Sequence, residues 1–370
     1  MNPLRELIKY GQSYWLDNLT RAMIKDGTLQ KRVEEQGLRG ITSNPAIFNK
    51  AISGQNNYDT QIAERVRAGD SVDALYEKIV VTDVQDACDI LRPVYDASDG
   101  VDGFVSLEVS PYLAHDTDGT MHEARQLFQA VDRPNVFIKI PGTPEGVPAI
   151  ETMLYEGVNI NITLLFSIAS YEAVAQAYLR AMERRVAEGK PIRNIASVAS
   201  FFLSRIDVLV DQLLEQKQAA NPETPELLGK VAVANAKLAY QSFKSLFSGP
   251  RWQALEAHGA RVQRPLWAST STKNPQYRDV CYVEPLIGPH TVNTMPDETI
   301  AAFADHGVIA ENSIEADLPQ ARQVLHGLAA VGIDLDQVTQ QLLDEGVQKF
   351  IEPFDTLMQT LRDKRQAFSQ

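Results

Sequence analysis

The chain has 370 residues, 44% of them hydrophobic, enough to bury the core of one large barrel or of two ordinary domains. Thirty-five Lys and Arg against 48 Asp and Glu leave a net charge of -13, the wrong sign for a phosphate backbone or an anionic membrane, so any anionic substrate must be met by a few locally placed cations. Two cysteines, Cys88 and Cys281, give neither a disulfide framework nor a CxxC metal pair, and no run reaches the roughly 18 apolar residues of a membrane span.

The N-terminus, MNPLRELIKYGQ, carries charge throughout, which predicts no signal peptide and a cytoplasmic chain. From there the pattern is a repeated strand followed by a helix. SYWLDN, Ser13 to Asn18, is a first strand with a helix after it from Thr28 to Gly37. LRGITSN, Leu38 to Asn44, is the second, with Pro45 opening a helix and a longer helical stretch from Ser71 to Leu91. FVSLEVS, Phe104 to Ser110, is the third. VFIKIPGT, Val136 to Thr143, is the fourth, closed by Pro141 and Gly142, with Thr143 and Pro144 as helix cap and first helical residue. VNINITLLF, Val158 to Phe166, is the fifth and leads to an amphipathic helix from Tyr171 to Glu188. IASVASFF, Ile195 to Phe202, is the sixth, and apolar residues at Ile206, Leu209, Val210, Leu213 and Leu214 mark its helix. A further helix is expected from Thr224. PLWAST, Pro265 to Thr270, and VCYVEPLIG, Val280 to Gly288, complete eight strands, and from Ile300 the chain reads as helices separated by Gly307, Gly332 and Gly346.

Eight strands with intervening helices imply parallel pairing and favour a (β/α)8 barrel over an open sheet, since neither GxGxxG nor GxxxxGK[ST] occurs. One domain over residues 1–370 is expected, with the terminal helices, roughly 296–368, packed on the outside of the barrel. In such a barrel the site lies at the C-terminal strand ends. Asp17, Asn44, Glu108, Lys139, Asn161, Thr163 and Ser200 fall there. Alternation puts Phe104, Ser106 and Glu108 on one face of the third strand, and Asn159, Asn161 and Thr163 on one face of the fifth. A polar face is not the one that helices cover, so it lines the interior.

Lys139 shares its inward face with Phe137. An amine in an apolar site is pushed toward its neutral form, which is a nucleophile toward carbonyls. The competing readings are a lysine that snorkels out of its strand end, or a structural ion pair with Glu108. Arg205, in the first turn of a helix where the dipole disfavours a cation, suits an anionic ligand, and Lys273 in STSTKN could reach the same anion. HDTDGTMHE resembles a metal cluster, yet Thr120 and Glu123 have capping-box spacing, so it reads as a turn and helix cap.

GITSNPAIF around Asn44, VSLEVSP around Glu108, VFIKIPGT around Lys139 and NITLLFS around Asn161 and Thr163 together resemble the transaldolase family, in order and over nearly the whole chain. The resemblance implies a Schiff base on Lys139 and transfer of a dihydroxyacetone unit between sugar phosphates, without metal or organic cofactor. It implies that Glu108 and Thr163 hold a proton-shuttling water and that Asp17 exchanges a proton with the C4 hydroxyl. It gives Asn44 and Asn161 to the substrate hydroxyls, Ser200 and Arg205 to the phosphate, and Phe202 to the wall. The chain departs from the family pattern at Phe201 and Ser204, around the first strand, and at Lys273, which stands where many members have arginine. Two alternatives stay open: a fructose 6-phosphate aldolase using the same lysine, against which Phe202 speaks, and a non-catalytic sugar-phosphate-binding barrel.

Overall fold

The computed structural model describes residues 2–54, 56–217 and 224–369. Eight parallel strands pair in sequence order and close into a barrel, β1 Gln12–Leu16, β2 Gly40–Ile41, β3 Phe104–Glu108, β4 Val136–Pro141, β5 Ile160–Leu165, β6 Ser197–Phe202, β7 Arg264–Ala268 and β8 Thr291–Met295. All eight are buried along their length, as expected of strands wrapped by helices. The register sets Glu108 opposite Lys139, and Lys139 opposite Asn161, so the polar residues of neighbouring strands meet at one level.

The barrel is a packed core with distinct ends. Phe104 stacks on Phe137 with ring centroids 4.1 Å apart, and Trp15 leans against Phe137 at 6.1 Å. Gly40 makes room for that indole, since a Cβ there would lie 2.4 Å from the ring. At the N-terminal end Asp102 accepts hydrogen bonds from Ser13, the Trp15 indole, Arg39 and Arg264, at 2.8, 3.2, 2.7 and 3.0 Å. Burial favours the neutral acid, but the Arg264 and Arg39 guanidiniums outweigh it and hold this carboxyl below its ordinary range.

Four expectations are corrected. The eighth strand is Thr291–Met295, which pairs with all five residues of β1; Val280 to Gly288 folds instead as turns and a 3-10 segment, Glu284–Leu286. Pro285 explains the difference, because it has no amide to give a central ladder. Thr224 opens only a 3-10 turn, Thr224–Glu226, and the helix proper is Val231–Leu246, after Gly229 at φ +67°. The cap of helix Thr117–Val131 is Asp116, not Thr120, whose hydroxyl donates to the Leu113 carbonyl. Gly346 does not separate helices; it lies inside one 34-residue helix, Leu335–Phe368.

That C-terminal helix does more than coat the barrel's outside. It packs on helices Pro45–Ser53, Asp59–Arg67, Val72–Ala97 and Ser204–Lys217, and on β5, which places it across the C-terminal end. Gly346 permits the approach: a Cβ there would stand 2.9 Å from the Leu164 side chain. Leu164 itself sits in a bulge of β5 at φ +60°.

Candidate active site

A cleft at the C-terminal mouth encloses about 490 Å³, part of it open to solvent. Asp17, Asn44, Lys139, Thr163, Ser200, Phe202 and Arg205 line it, with Thr42, Ala268, Ser269, Thr294 and Phe350. Lys139 is 5% exposed. Its amine donates to the Ser43 carbonyl at 2.7 Å and to Glu108 at 3.3 Å, so it neither snorkels to solvent nor sits in a purely apolar slot. Glu108 also accepts from Thr163 at 3.4 Å. Burial pushes the Glu108 carboxyl above its ordinary range, against the pull of Lys139 and Thr163, and the Asp17 carboxylate adds to the rise.

Asp17 follows β1 directly. Its backbone amide donates to Met295 of β8 at 2.8 Å, and its carboxylate accepts from Thr42 at 2.7 Å, while Thr42 also pairs with Thr294 at 2.7 Å. Burial raises the Asp17 carboxyl too, with Thr42 and Lys139 opposing. Asn44 caps helix Pro45–Ser53, its Oδ1 accepting the Ile47 amide at 3.0 Å, so its NH2 is the end that it can offer a ligand.

Three sequence candidates are not in the cleft lining: Glu108, which meets it through Lys139 and Thr163, Asn161 and Lys273. Asn161 lies behind the cleft, donating to Ser106 at 3.1 Å and accepting from Ser200 at 2.7 Å. Lys273 does not line the mouth; its ammonium donates to Ser271, and it borders a neighbouring hollow with Asp207, Asp211 and Tyr277.

Arg205 occupies the first turn of helix Ser204–Lys217, as its position after β6 predicts. Its guanidinium lies 5.4 Å from the Phe202 ring centroid and 5.8 Å from that of Phe350. Among the described residues, its Nη1 is buried with no hydrogen-bond partner. Burial lowers the Arg205 pKa, and the nearby carboxylates of Glu108, Asp17 and Glu345 only partly offset it. A buried guanidinium nitrogen without a partner costs free energy that an anion would recover.

Thr42, Ser43, Thr294 and Phe350 escaped the sequence reading. Thr42 and Ser43 sit inside GITSNP, next to the asparagine that drew attention. Thr294 lies on the strand that was misplaced. Phe350 carried no signal beyond helical apolar spacing, which says that a residue is buried and not against what.

The fold and mouth together define a parallel-barrel protein with a lysine and carboxylate pair beside an anion-seeking arginine, the arrangement of an enzyme acting on small anionic substrates. A family model described as Transaldolase/Fructose-6-phosphate aldolase matches residues 14–361. The chain is 52% identical to Transaldolase 2 of Nostoc punctiforme over 100% of this chain and 99% of that one. It is 51% identical to Transaldolase 2 of a Nostoc species, with 98% of each covered, and 49% identical to the Transaldolase of Trichodesmium erythraeum, with 98% and 97% covered. The chain belongs to the transaldolase family, and its activity is that of a transaldolase, a transferase.

Proposed function

We propose that this protein carries a dihydroxyacetone unit from fructose 6-phosphate or sedoheptulose 7-phosphate to an aldose phosphate through an imine on Lys139, as a cytoplasmic enzyme of the pentose phosphate pathway. The observation that carries this reading is the buried Lys139 amine, 3.3 Å from Glu108, in a cleft that also holds Asp17 and the unpaired Arg205 Nη1.

The amine adds to the ketose carbonyl to give a carbinolamine, which loses water to give the iminium. Each step moves a proton, and Glu108 and Thr163 are the nearby groups to relay it. The long contacts at Glu108, 3.3 and 3.4 Å, leave slack that a bridging water would take up. Asp17 then accepts the proton of the C4 hydroxyl as the C3–C4 bond breaks, with the bonding pair drawn into the iminium to give an enamine. The aldose phosphate leaves, an acceptor aldehyde takes its place, and the steps reverse. Thr42 orients the Asp17 carboxylate. The Asn44 amide meets a substrate hydroxyl, Asn161 orients Ser200 from behind, and Arg205 at its helix N-terminus holds the phosphate.

Borohydride reduction in the presence of fructose 6-phosphate tests the covalent step: a three-carbon adduct on Lys139 is expected, and its absence from wild-type protein would overturn the imine. Release of glyceraldehyde 3-phosphate is expected to require erythrose 4-phosphate. Equal release without an acceptor would instead indicate a lyase.

A further inference from the structure

The C-terminal helix delivers one side chain into the cleft, Phe350, which is 8% exposed. Residues four apart share a helix face, so Gly346, which lets the helix settle on Leu164, sets Phe350 over the mouth one turn later. On the other side Phe354 packs edge-on against Tyr76 at 5.4 Å, and further along Lys364 donates to Asp59 at 2.6 Å. The stretch of helix that carries Phe350 is therefore anchored on both sides. The Phe350 ring centroid lies 5.8 Å from the Arg205 guanidinium and 6.0 Å from the Lys139 amine. Phe202, on β6, faces the same guanidinium from 5.4 Å.

Among the described residues, the buried Nη1 of Arg205 has no hydrogen bond to hold it in one place before a ligand arrives. Two aromatic faces within about 6 Å supply that restraint, because a ring quadrupole attracts a cation without consuming its N–H donors. The guanidinium stays fixed while its donors remain available, which lowers the ordering cost of binding an anion.

We propose that Phe350 is a positioning residue for the donor phosphate, acting through Arg205, so that the C-terminal helix forms part of the substrate-recognition apparatus. The proposal rests on Arg205 being the phosphate ligand; it does not depend on the imine.

The test compares Phe350→Leu with Phe350→Tyr. Leucine keeps an apolar side chain, somewhat smaller and without a π face, whereas tyrosine keeps the ring. With Leu, KM for fructose 6-phosphate is expected to rise about fivefold, the scale of one cation–π contact, with kcat and the KM for unphosphorylated fructose little changed. Tyr is expected to restore the wild-type value. In an Arg205→Ala background the Leu effect should vanish, since the two residues act as one unit. A Leu variant with wild-type KM, or one that raises both KM values equally, would overturn the proposal. Should the imine reading fail, the rise in Tm on adding inorganic phosphate still interrogates the clamp, because ligand stabilisation needs no chemistry. The rise should be smaller for Phe350→Leu than for wild type, and an equal rise would count against the clamp.

Discussion

At the residue scale, the mouth sets two carboxylates to different tasks by their surroundings. Both Asp17 and Glu108 are raised by burial, but Glu108 faces Lys139 directly while Asp17 is held by the Thr42 hydroxyl. A base must be ionised to accept the C4 proton, so a raised Asp17 moves the acid limb of the kcat profile above the ordinary carboxylate value of about 4. Removing the Thr42 hydroxyl should move the limb higher still, because a hydrogen bond to the charged form favours ionisation. Thr42→Val is therefore expected to shift the limb upward and lower kcat about tenfold at neutral pH, with KM changed less. A pH profile of kcat decides it, and an unmoved limb would detach Asp17 from that step. Most of this layer was legible in the sequence. Alternation along FVSLEVS and VNINITLLF identified the inward polar face, and a polar face inside a barrel is informative because apolar residues are the default there. Asn161 shows the limit of that reasoning. Strand parity gave its direction, but only packing reveals that Ser106 and Ser200 already occupy both ends of its amide.

At the scale of elements, helix Ser204–Lys217 carries Arg205 on the side facing the mouth and, farther round, two carboxylates that the reaction does not use. Asp207 accepts from the Ala232 amide at 2.8 Å and from the Tyr282 hydroxyl at 2.9 Å; Asp211 accepts from the Gly229 amide at 3.0 Å and from Tyr277 at 2.7 Å. They tie this helix to helix Val231–Leu246 and to the segment that joins β7 to β8. Burial pushes Asp207 up to about 7, a rise that its two hydrogen bonds only moderate. The folded protein thus holds this proton more tightly than the unfolded chain. The associated stability is present below about pH 4 and is lost as pH rises through about 7. Tm should fall between pH 5 and 8, and Asp207→Asn, which cannot ionise, should flatten that slope while keeping an oxygen for Ala232. Parallel Tm curves for the two proteins would rule this out. The same joining segment explains the misplaced eighth strand. VCYVEPLIG is apolar because it packs as turns on this helix pair, and apolar content alone does not separate a buried turn from a buried strand.

At the scale of the whole molecule, the barrel divides chemistry from cohesion between its two ends. The mouth keeps one buried guanidinium nitrogen without a partner and two carboxyls perturbed upward, arrangements that cost stability and suit binding. The opposite end gathers its polar groups around Asp102, which is 1% exposed and collects Arg39, Arg264, Ser13 and Trp15 from β1, β7 and the approach to β2. Arg264 extends the tie to β8 through the Thr291 carbonyl at 2.8 Å, so one carboxylate and one guanidinium join the strands on both sides of the closure. Such a network was hidden from the sequence because its bonded partners lie up to 251 residues apart and none shows a local pattern. Asp102→Ala leaves a buried guanidinium without its counter-charge, a loss of about 3–5 kcal/mol and several degrees of Tm in a chain of this size. Because the site stands at the other end, kcat and KM measured well below the new Tm should stay within about twofold of wild type. A large fall in kcat in the folded variant would mean that the two ends are coupled through the aromatic floor of Trp15, Phe104 and Phe137, and the division of labour would have to be abandoned.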